Sequence, residues 1–274
     1  MNDFKIISID LDGTLLNENG RVSPENIAAA EELVRRGVQI VPNTGRAYNE
    51  MPAFIKELPF VRYIIFSDGG VIYDKKTGEK LLSCMSAETG RMIIDILHGY
   101  RTSLIVHHDC TTYVNADEND DESYDAYRVP DGFRRIIHES AILKKDYWSF
   151  CRELDGIEMI CAFFTSDEEK EECRKKIEAT GRFHIASSHP YNLEFFAIEA
   201  GKGNSLLKLA RSLNVPADAT VAIGDSTNDS DMIKKAGLGI AMENACDELK
   251  GIAGAVACRN TEHFLKYMLE RYYR

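Results

Sequence analysis

The chain has 274 residues, 44% hydrophobic and 28% charged, with 33 Lys and Arg against 44 Asp and Glu for a net charge of −11. This composition supports a buried core and excludes a disordered chain, and the length suits one large domain or two modest ones. The acidic balance argues against broad nucleic-acid binding, which recruits Lys and Arg, but leaves room for a small phosphorylated substrate in a local positive pocket.

The first apolar stretch, Phe4 to Ile9, ends at Asp10. It falls short of a secretory apolar core of about 7–15 residues and of a spanning helix of about 20. The chain therefore reads as cytoplasmic, with no membrane partner. Seven scattered cysteines without a C-x-x-C pair read as buried thiols rather than a disulfide framework or a zinc site.

Lys5 to Ile9 is a β-branched run of the kind buried on both faces of a parallel sheet. Asp12-Gly13 punctuates it. Ser23 then caps a helix that Pro24 opens, Ile27, Ala30, Leu33 and Val34 share one face, and Gly37 ends it. Val38 to Val41 returns as a strand, completing a β-α-β unit that calls for a parallel sheet. Tyr63 to Phe66 is a third strand, and 71–73 with 80–83 form a hairpin around Thr77-Gly78. From about Met85 to Ser188 the texture changes. Amphipathic helices such as Glu168 to Ala179 mix with strands such as Met159 to Phe164, and a solvated acidic run spans 117–122. The α/β rhythm resumes with a strand through Phe195–Ile198, a helix from Gly203 to Leu213, and a strand from Thr220 to Ile223. A helix near Asp229 to Ala236, a strand from Leu238 to Ala241 and a closing helix from Thr261 follow. The chain reads as an α/β core, 1–84 and 190–274, interrupted by an inserted domain, 85–189, with hinges near 83–86 and 189–192.

Four features carry chemistry. Asp10-Leu11-Asp12-Gly13-Thr14 lies where a buried strand runs out, the edge at which open α/β sheets bind ligands. Asp10 and Asp12, two apart, point to one side of the strand end. Aspartates often serve only a turn, but two carboxylates at a sheet edge repel unless a cation or proton separates them. Gly224-Asp225-Ser226-Thr227-Asn228-Asp229 repeats the design after Val221-Ala222-Ile223. These residues also suit a helix cap, yet three or four carboxylates converging there make an oxygen-rich pocket suited to Mg²⁺. Asn43-Thr44-Gly45-Arg46 places a hydroxyl and backbone N–H groups at a turn able to hold a phosphoryl oxygen, though a T-G-R tripeptide alone is commonly a plain turn. Gly201-Lys202-Gly203 is not a P-loop, since Phe196 and Gly203 stand where Gly and Ser or Thr are required. Its lysine could still neutralise a phosphoryl group.

In this order, and with an insertion of about a hundred residues between the second and third, these features resemble the haloacid dehalogenase (HAD) superfamily, and most closely its Cof-type phosphatases. The resemblance implies a Rossmann-like parallel-sheet core with an inserted α+β cap that closes over the site and supplies specificity. It implies Asp10 as nucleophile, forming an aspartyl-phosphate, and Asp12 as the acid and then base, held protonated at first by neighbouring carboxylates and burial. Mg²⁺ would be held by Asp10, Asp225 and the backbone carbonyl of Asp12, with Asp229 as an outer carboxylate. Thr44, Gly45, Lys202 and Asn228 would bind the phosphoryl group. The activity implied is hydrolysis of small phosphorylated metabolites, sugar phosphates foremost, with pyridoxal phosphate or flavin mononucleotide behind. A sugar phosphomutase or a catalytically silent phosphometabolite-binding regulator are the alternatives. The chain departs from the family where an Asn-Gly pair often follows the third strand: it has Asp68-Gly69. Asp68 adds a negative charge near the phosphate side that could select a cationic or polyhydroxy leaving group, or it simply turns the chain, which is the better reading of an Asp-Gly pair.

His107-His108-Asp109-Cys110 looks like a metal cluster, but adjacent strand residues point to opposite faces, so a cap turn or substrate-facing rim is the better reading. The run Asp117-x-Asn119-x-Asp121 fails as a calcium loop, since Glu122 stands where Gly is required and Arg128 where the bidentate Glu belongs. Tyr267, Tyr272 and Tyr273 read as packing residues.

Overall fold

A computed structural model describes residues 4–273. In chain order the strands are β1 (Ile6–Ile9), β2 (Gln39–Pro42), β3 (Tyr63–Phe66), β4 (Val71–Asp74), β5 (Lys80–Leu82), β6 (Thr102–His108), β7 (Thr111–Asn115), β8 (Ile142–Lys144), β9 (Ile157–Phe164), β10 (Phe183–Ala186), β11 (Asn192–Ala197), β12 (Thr220–Gly224), β13 (Leu238–Ala241) and β14 (Ala255–Val256). The chain divides into two units, one of residues 1–45, 52–82 and 201–274, the other of 46–51 and 83–200.

In the first unit, five parallel strands run in the order β14-β13-β12-β1-β2. β1 is buried along its whole length, as its uninterrupted apolar sequence requires of a strand covered on both faces. The helix Pro24–Arg35 starts as expected, with the Ser23 hydroxyl accepting from the Asn26 N–H and Pro24 at its first position. It is joined to the closing helix Phe264–Tyr272 by Asn26, whose Oδ1 accepts the Leu265 N–H at 2.9 Å. Tyr272 packs edge-on against Phe4 and the Tyr273 hydroxyl donates to the Phe4 carbonyl, so these tyrosines pack as expected. β3, β4 and β5 form an antiparallel meander, tied to β2 by a single parallel bridge, Asn43 to Ile65.

The register of the central strands decides where the motifs go. Ile9 lies opposite Ile223 of β12 and Pro42 of β2. The Asp10 N–H donates to the Ile223 carbonyl and the Asn43 N–H to the Ile9 carbonyl. Three neighbouring parallel strands thus end level, and the residues that follow each of them, from Asp10, Asn43 and Asp225, emerge at one edge.

The second unit is a six-stranded sheet in the order β10-β11-β9-β6-β7-β8, with its own apolar core including Ile93, Leu97, Ile160, Phe163, Phe164 and Phe195. Here two expectations are corrected. The strand through Phe195–Ile198 does not belong with the core. As β11 it pairs antiparallel with β9, Asn192 opposite Phe163 and Phe195 opposite Ile160, so the chain leaves this unit at 200/201 rather than 189/190. Residues 46–51 also belong here, so the chain passes between the units at 45/46, 51/52, 82/83 and 200/201. Sequence patterning distinguishes a strand from a helix, but an apolar strand pairs equally well in either sheet.

Of the four residues expected in a turn or rim, Asp109 and Cys110 form the turn between β6 and β7, whereas His107 and His108 lie in β6 itself. His107 is buried, its Nε2 3.5 Å from the buried carboxylate of Glu50. Glu50 also accepts the Ala47 N–H at 2.7 Å, and Asn49 Oδ1 accepts the N–H and hydroxyl of Thr112. The segment 46–51 is thereby bound to β6 and β7. The acidic run is partly structured: Ala116–Glu118 forms a 3-10 turn, and Asp120 caps a short helix over Asp121–Ala126. All seven cysteines are free thiols. Among the described residues no helix is long and apolar enough to cross a membrane.

Candidate active site

The site grows from the three level strand ends. Asp10 follows β1 and is 6% exposed. Lys202, at the start of the helix Lys202–Ser212, is 1% exposed. Its Nζ donates to Asp10 Oδ1 and to Asp229 Oδ1, each at 2.7 Å. Asp229 is fully buried and also accepts the N–H groups of Asp225 and Ser226, at 3.0 and 3.2 Å. It therefore shapes the turn after β12 and holds the lysine at once. Carboxylate oxygens of Asp10, Asp225 and Asp229 lie within 4.8 Å of one another.

Small residues make this convergence possible. Gly13 has φ +77°, a left-handed conformation, and a Cβ there would lie 2.3 Å from Asp225 Oδ2. A Cβ on Gly224 would lie equally close to the Asp229 carboxyl. Thr14 donates its hydroxyl to Asp225 Oδ1 at 2.9 Å, and Asn244 Nδ2 donates to the Gly13 carbonyl. Asn43, buried beside β2, donates Nδ2 to the Ser8 hydroxyl and to the Lys202 carbonyl, both at 3.0 Å. It thereby fixes the lysine's backbone. The N–H groups of Gly203 and Asn204 donate to Asp231 Oδ2, so a side chain of the protein caps this helix and Lys202 acts through its ammonium.

The electrostatics follow from one ammonium serving several carboxylates. Burial pushes the Asp10 carboxyl well above its usual range; Lys202 offsets part of this, while Asp229, Asp225 and Asp12 add to it. Asp225 is pushed up to about 7, by burial first and then by Asp229, against the Thr14 hydrogen bond and Lys202. Burial alone would lower the Lys202 ammonium, but Asp10, Asp229 and Asp68 together hold it well above its ordinary value. The cluster is thus short of positive charge, and all its anionic donors are oxygen. This is the donor set of a hard divalent cation, which would also return raised carboxyls to their ionised form.

The remaining expected residues fall around this cluster. Asp12 is exposed in the turn after β1, and its charge is felt by both Asp10 and Asp225. The burial expected of Asp12 is not found: the residue is exposed in the turn. Thr44 is buried, its N–H donating to the Ile65 carbonyl and its carbonyl accepting the Asp68 N–H. Gly45 and Asn228 flank the Asp68 carboxylate: a Cβ on Gly45 would lie 3.3 Å from each of its oxygens, and Asn228 Nδ2 is 3.5 Å from Oδ1. Asp68 is indeed a turn residue, with φ +47°, but it is 1% exposed and belongs to the site. Thr14 and Asn43 fall inside the sequence motifs but carry no role of their own there, and Asp231 lies just beyond the motif ending at Asp229.

Fold and site together define an α/β protein whose parallel-sheet edge gathers three carboxylates around the buried Lys202. The family model for haloacid dehalogenase-like hydrolases matches residues 7–269, and the chain belongs to this family. The phosphatase YwpJ of Bacillus subtilis (strain 168) is 31% identical over 292 residues, covering 97% of this chain and 99% of the relative. The 5-amino-6-(5-phospho-D-ribitylamino)uracil phosphatase YwtE of the same organism is also 31% identical, covering 98% of each. A solved haloacid dehalogenase-like hydrolase from B. subtilis superposes with a TM-score of 0.83 at 29% identity, covering 98% of this chain and 99% of that one. The chain is a phosphatase of this family, of the Cof type.

Proposed function

We propose that the protein hydrolyses small phosphorylated metabolites in the cytoplasm through a phosphoryl group carried on Asp10, with Mg²⁺ bound. The observation that carries this reading is the Asp10 carboxylate held 2.7 Å from Lys202 within reach of Asp225 and Asp229. Asp10, Asp225 and the Asp12 backbone carbonyl would hold the cation. An outer place for Asp229 fits the engagement of its oxygens by Lys202, Asp225 and Ser226. When bound, Mg²⁺ would neutralise phosphoryl charge and relieve the repulsion between carboxylate and phosphate.

The protein's own groups would do the rest. The Thr44 hydroxyl, the Gly45 N–H, the Lys202 ammonium and the Asn228 amide orient the phosphoryl oxygens. An Asp10 oxygen bonds to phosphorus as the ester P–O bond breaks, and Asp12 gives its proton to the departing alkoxide. Asp12 then takes a proton from water, which attacks phosphorus and releases Asp10 and inorganic phosphate. Asp12 suits both steps because it stands on the same turn as Asp10, yet is exposed enough to meet a leaving group and then water. The leaving group we favour is a sugar or sugar alcohol; a relative that acts on a phosphoribityl compound supports this choice. The inserted unit would act as the cap that supplies specificity. A phosphate-release screen over phosphorylated metabolites with Mg²⁺ tests the reading. Release from at least one sugar phosphate, abolished by Asp10→Asn, is expected, whereas release undiminished in Asp10→Asn would remove the nucleophile.

A further inference from the structure

Asp68 does more than turn the chain. Its N–H donates to the Thr44 carbonyl at 3.1 Å and its carbonyl accepts the Gly201 N–H at 2.9 Å. The loops carrying Thr44 and Lys202 are therefore stitched together through its backbone, and its side chain is aimed with them. The carboxylate borders Gly45, contacts the Asn228 amide and raises the Lys202 ammonium. These are three of the four residues proposed to hold the phosphoryl group. A left-handed turn residue has no need of charge, since Asn and Gly adopt this conformation as readily. Burying a carboxylate is also more costly than burying an amide. The negative charge therefore has to be explained by the site.

We propose that Asp68 is a specificity-determining residue of the phosphate subsite, whose carboxylate opposes the phosphoryl dianion and shares Lys202 and Asn228 with it. The subsite then grips a bare phosphate weakly. Inorganic phosphate leaves readily after turnover, and the substrates retained are phosphomonoesters whose leaving group contributes binding of its own. This rests on the phosphatase reading above.

The test is calorimetric titration of the Mg²⁺-loaded protein with inorganic phosphate, for the wild type, Asp68→Asn and Asp68→Gly. Both replacements tolerate the left-handed backbone, so one remains readable if the other fails to fold. Phosphate is expected to bind each variant at least about tenfold more tightly, equivalent to ~1.4 kcal/mol, and to inhibit ester hydrolysis at correspondingly lower concentration. A purely structural residue moves the result the other way, because loosening the loops weakens binding. Unchanged or weaker phosphate binding in folded variants overturns the proposal. A wild type that binds phosphate but hydrolyses no phosphomonoester overturns the phosphatase reading instead, and the comparison of binding constants still stands.

Discussion

Replacing Lys202 by Met removes the one ammonium among the site's carboxylates while keeping a side chain of similar reach. Lys202 makes two 2.7 Å contacts in a nearly solvent-free setting. Breaking a buried pair by deleting one partner costs about 3–5 kcal/mol. A second route to the number agrees. The orphaned carboxylate can escape by taking a proton, and protonating an ordinary aspartate at pH 7 costs about 1.4 kcal/mol for each of roughly three pH units, or ~4 kcal/mol. For a unit of this size the loss lowers the melting temperature by on the order of 10 °C. The pH dependence gives the sharper signature. Lys202 is raised, so its contribution in the wild type is complete below the unfolded lysine value and constant near neutrality. The penalty in Lys202→Met should therefore shrink as pH falls from 7.5 to 5.5, because protonation of the carboxylates becomes easier. Mg²⁺ should also recover part of it, by neutralising the same groups. Thermal and urea unfolding in EDTA and in Mg²⁺ measure both effects. A penalty below ~1 kcal/mol, or one identical at the two pH values, would refute the reasoning.

Three further outcomes follow from the geometry. Gly13→Ala places a Cβ 2.3 Å from Asp225 Oδ2 on a left-handed backbone, so Mg²⁺ affinity and turnover should fall at least tenfold in a folded protein; a calorimetric Mg²⁺ titration matching the wild type would contradict this. Asp225 is raised to about 7, so Mg²⁺ binding should strengthen with pH up to about 7 and release at least one proton, which calorimetry in buffers of different ionisation enthalpy detects. The sign for the metal-free protein is the reverse of a salt-bridged aspartate. A raised carboxyl stabilises the fold fully below its unfolded value of 3.8, and that stability is lost as pH rises through about 7. Glu50 is a contrast: burial raises its carboxyl, but the His107 charge, its hydrogen bond and the Ala47 N–H together bring it below 4.5. Its contribution is present above pH 4.5 and lost as pH falls through the lower folded value, so Glu50→Gln should cost about 3 kcal/mol at pH 7 and progressively less below pH 4, in denaturant unfolding at the two pH values.

What could be read from the sequence was whatever has a local pattern. The apolar run before Asp10, the Ser23-Pro24 helix start and the carboxylates after Thr220–Gly224 each announce themselves within ten residues, and the parallel register of β12, β1 and β2 then brings the motifs to one edge. The contacts that aim these groups are long-range and carry no local mark. Asn43 reaches the carbonyl of Lys202, and Glu50 meets His107 from the other side of the meander in the chain. Asp68 shows how a correct local reading falls short: the turn is there, but only the tertiary fold reveals that its carboxylate is turned inward beside Gly45 and Asn228. β11 illustrates the opposite failure, a strand rightly placed in sequence and wrongly assigned to a sheet, since backbone pairing is indifferent to which apolar neighbour it meets.

The most direct measurement is acid quenching during turnover of a phosphomonoester with Mg²⁺, followed by peptide mapping. A phosphoryl group on the peptide containing Asp10, absent from Asp10→Asn, is the expected result. Turnover that proceeds at full rate in Asp10→Asn, with no phosphorylated Asp10 peptide in the wild type, would contradict covalent transfer to Asp10.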